Sequence, residues 1–320
     1  MDSFDAPTAS SLLKFGGGGA DLGTPPIATG FAPLDDSLGG GLRVGDLSLL
    51  AGRPGIGRTV AALQWARNGA RNGIPVTFIS SEHTANALLK RLVILEARSI
   101  ARSDETHLIE LASRELTAIA YGASQITDIS PLAEEVCERV SQYGSMLTLI
   151  GIDSANFHFD QVEQAAPTAG GLLIIDRLEA RGSATSSEEI VDTTDLAFAL
   201  KSIATRLGIA VLATCGTTKE GMDVRRLTSS GLKDASSFEQ VCDLVLIINE
   251  KARAVVNVAI AFNPAKSDEF SRQLVITIEK NRSGRAGLNM QFDKDFEFHR
   301  LDPQGSFLIE KLLSDVLSEG

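Results

Sequence analysis

Short apolar runs alternate with stretches of helical spacing along most of the chain. Apolar runs of roughly four to eight residues, bounded by glycine, proline or polar residues, are typical of buried β-strands. The sequence predicts such strands at residues 47–51, 76–80, 147–150, 171–176, 209–214, 242–249, 254–262, 274–279 and 288–292.

The stretches between these strands carry apolar residues three and four positions apart, which predicts amphipathic helices. The predicted helices cover residues 59–72, 85–101, 105–120, 131–143, 157–166, 187–207 and 307–317, with a short capped helix near 35–37. Helices separate the early strands, whereas the late strands follow one another as in hairpins. We therefore expect an α/β fold with a central, mostly parallel sheet, flanking helices and an antiparallel C-terminal edge.

Composition divides the chain into three parts. Residues 1–26 are rich in serine, glycine and proline and are predicted to be a flexible segment. Residues 27–300 contain most of the predicted elements without a break in composition. Residues 301–320 are predicted to form a C-terminal tail helix, and residues 216–237 a polar, mobile loop with several basic residues.

Charge and cysteine content exclude several classes of protein. The net charge of −11 and the pI near 4.9 argue against a strongly basic nucleic-acid-binding body, while a local basic loop stays open. The three cysteines include no C-x-x-C pair, and the four histidines lack metal-ligand spacing. No secretory signal and no membrane-spanning apolar run is present in the sequence, so we expect a cytoplasmic protein without a membrane partner.

One stretch, LSLLAGRPGIGRTV at residues 47–60, almost matches the phosphate-loop pattern G-x-x-x-x-G-K-[ST]. Glycines let such a loop turn its backbone N–H groups toward phosphate oxygens, and the following helix adds its N-terminal dipole. The predicted nucleotide-binding residues of the loop are Gly52, Arg53, Pro54, Gly55, Ile56, Gly57, Arg58, Thr59 and Val60. Arg58 departs from the pattern, because a planar guanidinium replaces a compact lysine ammonium. A glycine-rich turn without a ligand is the alternative.

Two acidic residues follow predicted strands near this loop. Asp176 ends the apolar run GLLIID and is predicted to accept a bond from Thr59 or from Mg²⁺-bound water, so that both residues hold Mg²⁺ with the nucleotide. Glu82 follows the strand at 76–80 and faces the crevice where parallel sheets bind ligands. It either polarises a water molecule or stabilises the start of the next helix.

The order of these segments resembles the C-terminal motor domain of bacterial replicative helicases of the DnaB family, a RecA-like hexameric ATPase. The opening TGFAPLDDSLGGGLRVGDL and the loop AGRPGIGRT are similar to segments that RecA-like ATPases such as RadA and KaiC share. The segments ISSEHT, LLIIDRLEA, LKDASSFEQVCDLVLIIN and IEKNRSGRAG are more particular to the helicases. The resemblance covers about residues 27–300 and implies a RecA-like P-loop NTPase core that uses ATP and Mg²⁺.

The resemblance implies catalytic roles for three residues. Glu82 would be the base that activates the attacking water. Lys280 and Arg282 would reach the γ-phosphate of a neighbouring subunit as a piston lysine and an arginine finger. A charge pair at a surface β-edge is the alternative for these two basic residues. The chain is accordingly expected to form a homo-oligomer, either a hexameric ring or a filament.

The resemblance also places a DNA contact in this chain. Lys233, Asp234 and Ser236 match the part of the family that touches single-stranded DNA in the central channel. An ordinary polar turn is the alternative.

Three departures from the family argue against an autonomous replicative helicase, and the first two favour a second hypothesis. Arg58 replaces the loop lysine, and Gly216 stands where the family usually has a glutamine thought to sense the γ-phosphate. Only 26 residues precede the resembling region, so the family's N-terminal domain, which organises the hexamer collar and binds primase, is not expected.

Two hypotheses of different class follow. The first is an ATP-hydrolysing oligomer that acts on single-stranded DNA as a helicase or translocase in replication or related DNA metabolism. The second is a catalytically impaired, nucleotide-binding scaffold or regulator with the same fold. Because Glu82, Asp176, Lys280 and Arg282 are all retained, weak or conditional ATP hydrolysis is favoured. A RadA- or KaiC-like switch is a third reading, disfavoured by the helicase-like segments.

Overall fold

The computed structural model describes residues 24–102, 104–120, 129–152, 159–177, 193–232, 240–255 and 264–313. The strands are β1 Leu47–Gly52, β2 Val76–Ser80, β3 Leu147–Gly151, β4 Leu172–Asp176, β5 Ala210–Cys215, β6 Leu244–Glu250, β7 Gln273–Asn281, β8 Leu288–Asp295, β9 Arg300–Leu301 and β10 Ser306–Phe307. The helices are α1 Ala32–Leu38, α2 Arg58–Arg71, α3 Ala85–Ile100, α4 Thr106–Ala120, α5 Pro131–Tyr143, α6 Phe159–Gln164, α7 Thr193–Leu207, α8 Lys219–Asp223, α9 Lys251–Ala254 and α10 Pro264–Ser271.

The strands form one sheet in the order β10-β8-β7-β6-β1-β5-β4-β2-β3, with β9 paired to β8. β1 lies near its centre, parallel to β5 on one side and to β6 on the other. The parallel part continues through β4, β2 and β3, whereas β6, β7 and β8 pair antiparallel. The predicted mixed α/β sheet is thus confirmed.

Alternate residues of the central strands face opposite layers, as the two-residue period of a strand requires. Leu50 of β1 joins a core beneath α1 and α2, where the rings of Phe31 and Trp65 meet edge to face at 5.8 Å. Leu47 and Leu49 join a second core that includes α7. Because helices cover both faces, the six residues of β1 are all buried.

A buried polar network ties α2 to two other helices. Arg67 of α2 donates two hydrogen bonds to the carboxylate of Glu96 in α3, at 2.6 and 2.7 Å, and the Tyr143 hydroxyl of α5 donates a third at 2.6 Å. Burial acts to raise the pKa of Glu96, but the bonds and charge of Arg67 outweigh it and leave that pKa below its ordinary value. The pair therefore holds α2, and the loop that precedes it, against the helical layer.

Three sequence predictions differ from the structure. Phe307, the start of the predicted C-terminal helix, instead pairs with β8 as part of β10, Leu312 bridges to Val255, and residues 314–317 of that helix lie outside the described residues. Ala254, the predicted start of a strand, ends α9. Within the predicted mobile loop, Leu227 is fully buried and exchanges two hydrogen bonds with the Asn249 side chain, at 2.8 and 2.9 Å. At β10, pairing with a distant strand overrides the local pattern, and at Leu227 the hydrogen bonds to a side chain of the distant strand β6 do so.

Candidate functional site

The loop between β1 and α2 has the geometry of an anion-binding turn. Gly55 and Gly57 take positive φ angles of 74° and 97°, which residues with a side chain rarely adopt. A Cβ at Gly57 would also lie 2.4 Å from the Phe296 ring, so a side chain there would require that ring to move. Gly57 is the N-cap of α2, and the first N–H groups of that helix lack partners within it. The loop therefore presents backbone donors and the helix dipole to a phosphate.

Thr59 and Asp176 meet in the structure although 117 positions separate them. The Thr59 hydroxyl lies 3.1 and 3.0 Å from the two carboxylate oxygens of Asp176. Ser80 and Thr214, at the ends of neighbouring strands, donate to the same carboxylate at 3.2 and 3.0 Å. A hydroxyl and a carboxylate are oxygen ligands of the kind that Mg²⁺ prefers, so the pair fits the predicted metal. Ser80 and Thr214 were not predicted, because their signal in the sequence is no more than a hydroxyl residue near the carboxyl end of a strand.

Glu82 lies just beyond β2, on the rim of the same crevice. The Ser80 hydroxyl accepts hydrogen bonds from the backbone N–H groups of Glu82 and His83, at 3.2 and 3.1 Å, and so sets the direction of the chain. The Glu82 carboxylate lies 3.3 Å from the Arg177 guanidinium, with both side chains 43% exposed. Arg177 itself has a positive φ of 68° directly after β4. The predicted catalytic carboxylate thus faces open space beside the phosphate loop.

Arg58 begins α2 and directs its guanidinium into the crevice. Its Nη1 atom is buried and has no hydrogen-bond partner among the residues that the structure describes. Burial lowers the pKa of Arg58, whereas the nearby Cys215 thiol and the Asp176 carboxylate act to raise it. A buried cationic donor without a partner is a strong candidate for binding an anion.

These groups border a cavity of about 640 Å³. Its predicted lining residues are Pro54, Gly55, Gly57, Arg58, Thr59, Val60 and Glu82. Gly216, named above as a departure from the family, also lines it. Its unpredicted lining residues are His83, Arg91, Arg177, Thr217, Thr218, Lys219, Phe296 and His299. Most charged members of this lining are basic, although the chain as a whole is acidic. The cavity therefore favours a polyanion.

Two histidines far apart in sequence line the cavity. Burial, together with the positive charges of Arg91 and Lys90, lowers the pKa of His299 to about 4. Burial also lowers the pKa of His83. Both imidazoles are therefore neutral at neutral pH.

Two other predicted loop residues turn away from the cavity. Ile56 packs into the core beneath α2. Arg53 is buried and donates to the Asn249 side chain at 3.3 Å and to the backbone oxygen of Val224. Arg53 therefore links the phosphate loop to the segment that follows α8.

Lys280 and Arg282 lie at the end of the sheet that is opposite the phosphate loop. β7 runs antiparallel to β6, so its end lies beside the start of β1 rather than beside the phosphate loop. Arg282 donates to the Asp243 carboxylate at 3.1 Å and to the backbone oxygen of Gln240. Asp243 also accepts from Lys201 at 2.6 Å and from the Leu47 N–H at 2.9 Å. The structure does not bring these two basic residues to the cavity of their own chain.

The remaining expectations concern DNA, metal clusters and membranes. Lys233, Asp234 and Ser236 lie outside the described residues. Across the described ranges, no group of three or more histidine, cysteine or acidic side chains could hold a metal ion. Nor does any helix in that part of the chain have the length and apolarity needed to span a bilayer.

Comparison with known proteins agrees with this arrangement. A family model described as the DnaB-like helicase C terminal domain matches residues 26–300. The replicative DNA helicase DnaB of Haemophilus influenzae is 25% identical over 86% of the chain and 55% of its own length. That of Rickettsia bellii is 26% identical over 86% of the chain and 57% of its own length. The chain therefore spans little more than half the length of these curated relatives.

Solved structures show the same fold. The ATPase domain of G40P superposes with a TM-score of 0.64 at 19% identity, covering 88% of this chain and 92% of that one. A DnaB-like replicative helicase, studied with its interactions with primase, superposes with a TM-score of 0.63 at 19% identity, covering 88% of this chain and 64% of that one. With the family model matching residues 26–300, the chain belongs to the DnaB-like helicase C-terminal domain family.

Proposed function

We propose that the chain is an oligomeric ATPase that acts on single-stranded DNA as a helicase or translocase in replication. The observation that carries this proposal is the meeting of Thr59 and Asp176 beside a glycine loop at the mouth of a basic cavity. The loop N–H groups and the start of α2 bind the phosphates. Thr59 and Asp176 would hold Mg²⁺, which would supply positive charge against the phosphates.

Glu82 is the proposed base for the attacking water. Its carboxylate lies on the cavity rim, and Ser80 links the chain direction at Glu82 to the Asp176 carboxylate. This connection fixes the position of the backbone at Glu82, the proposed base, relative to Asp176, the proposed metal ligand. The Arg177 guanidinium 3.3 Å away orients the Glu82 carboxylate.

The positions of Lys280 and Arg282 support action between subunits. β1 extends from Leu47, beside Asp243, to Gly52 at the loop, and five steps of roughly 3.3 Å separate its ends by about 17 Å. An arginine side chain cannot cross that distance within its own chain. It can reach the nucleotide of a neighbour that packs against this edge, which makes a homo-oligomer part of the proposal.

The link between the loop and the DNA is proposed through Arg53. Arg53 bonds to the Val224 backbone, and Asn249 bonds to Leu227, so the segment before residue 233 is attached to the phosphate loop. We place single-stranded DNA on Lys233, Asp234 and Ser236, at the end of that segment. A change at the nucleotide would then be transmitted to the DNA contact.

The test is steady-state ATP hydrolysis by the purified chain, with and without single-stranded DNA, together with its oligomeric state by light scattering. We expect an oligomer whose turnover rises with DNA. Arg282→Ala should abolish turnover while ATP still binds, because its partner site is on another subunit. Loss of ATP binding in that variant would refute the intersubunit role, and Glu82→Gln serves as the comparison that removes the base alone.

A second candidate is a nucleotide-binding scaffold that does not hydrolyse ATP. The observation that favours it is Arg58, whose guanidinium replaces the lysine of the phosphate-loop pattern and leaves Nη1 without a partner in the described part of the chain. ATP binding with no turnover in any condition, DNA included, would select this candidate.

A further inference from the structure

The two unusual residues of the nucleotide site, Arg58 and Gly216, lie against each other. A Cβ atom built at Gly216 would lie 3.8 Å from Arg58 Nη1, and that guanidinium nitrogen is the nearest group within 4 Å. Both residues line the cavity. Arg58 begins α2, whereas Gly216 follows β5 directly, so the contact joins the carboxyl ends of neighbouring strands β1 and β5.

The backbone at Gly216 does not require glycine. Its φ lies outside the left-handed region, and a Cβ there would make only an ordinary van der Waals contact. A longer side chain, however, would extend from that Cβ into the space of the guanidinium. The feature that matters at Gly216 is therefore the missing side chain, not the backbone conformation.

The Arg58 guanidinium is left with donors for an incoming anion. Nη1 is buried without a hydrogen-bond partner in the described residues, which is costly for a charged donor. The Asp176 and Glu82 charges lie near it, but neither makes a hydrogen bond to Nη1. A planar guanidinium can donate to two oxygens of one phosphate, which a lysine ammonium does not do with the same geometry.

We propose that Arg58 and Gly216 form a size-matched pair in which Arg58 contacts the terminal phosphate of the bound nucleoside triphosphate. Gly216 is the positioning residue, since it leaves the volume through which the guanidinium reaches the end of β5. The inference rests on the nucleotide binding proposed above. Glycine at position 216 has no side chain and makes no polar contact at the end of β5. Arg58, at the start of α2, supplies that contact instead.

The test is a double-mutant cycle with Arg58→Lys, Gly216→Gln and the double variant. The dissociation constants for ATP and for ADP, each with Mg²⁺, are measured by calorimetry. We expect Gly216→Gln to weaken ATP at least ~10-fold and ADP less, because the displaced guanidinium faces the terminal phosphate. The double variant should bind ATP at least ~10-fold more tightly than the two single effects together predict, a coupling of about 1.4 kcal/mol.

The control is Gly144→Gln at the end of α5, where φ is −59° and a Cβ would lie 3.7 Å from Val140. This variant adds the same side chain at a comparable glycine outside the cavity and should bind ATP like the original chain. If Gly216→Gln does not fold, as judged by thermal unfolding, Arg58→Ala decides the question. It should lower the preference for ATP over ADP at least ~10-fold, and an unchanged preference overturns the proposal.

The outcomes separate the two levels of inference. If the original chain binds neither ATP nor ADP, the proposed nucleotide site is wrong and the pair with it. The other outcome is that the chain binds both nucleotides while the change in the ATP dissociation constant of the double variant equals the product of the two single-variant changes to within about twofold. The two residues then act independently. The proposed function then stands, and the size-matched pair is refuted.

Discussion

Glu96→Gln tests whether the buried pair with Arg67 stabilises the helix that follows the phosphate loop. The Glu96 side chain is fully buried and that of Arg67 is 9% exposed, so the substitution leaves a guanidinium buried without its counter-charge. Removing one partner of such a pair costs ~3–5 kcal/mol. For 320 residues, an unfolding entropy of about 2.1 cal/mol/K per residue amounts to roughly 0.7 kcal/mol/K. The melting temperature should therefore fall by roughly 6 °C.

The assay is thermal unfolding followed by circular dichroism, with Glu135→Gln as the matched control. Glu135 pairs with Arg139 on the surface of α5 at 2.9 Å, and exposed pairs of this kind contribute only ~0–1 kcal/mol. The pKa of Glu96 lies below its ordinary value, so its stabilisation is present above that value and is lost as the pH falls through the depressed pKa. If Glu96→Gln melts within 1–2 °C of the control, roughly the range of an exposed pair, the reasoning about the buried pair is wrong.

Three further predictions concern the site. Gly57→Ala should abolish ATP binding in a filter assay, because the new Cβ would lie 2.4 Å from Phe296 and the φ angle of 97° disfavours alanine. Retained affinity would show that the Phe296 ring moves aside easily. Stability should fall as the pH drops from about 6.5 toward 4, because the unfolded chain protonates His299 where the folded chain does not. His299→Gln should flatten this dependence in urea titrations at pH 7 and 5, and an unaltered slope would contradict it. Asp243→Asn should lower ATP turnover more than ATP affinity, because it removes the carboxylate that holds the Arg282 guanidinium. Equal losses of turnover and affinity would contradict this positioning role of Asp243.

Local sequence patterns were enough to predict the strand and the helix on either side of the phosphate loop. The apolar run of β1, the glycines after it and the helical spacing of α2 are local features, and the structure has them where they were predicted. Asp176 was predicted beside Thr59 because it ends the apolar run GLLIID downstream of the phosphate loop, and the two residues meet in the structure. The same local reasoning failed at β10, where pairing with β8 decides the conformation, and at Leu227, whose backbone is held by the Asn249 side chain of β6.

The sequence by itself determined the fold class, the loop and the identity of its acidic partners, because strand and helix periods and glycine conformation act over a few residues. Only the tertiary structure decided that Phe296 and His299 close the cavity, that Arg282 lies at the edge away from its own loop, and that Arg58 faces Gly216. Each of these depends on strand order and direction. Strand order is selected by burial summed over the whole chain, so no local pattern encodes it.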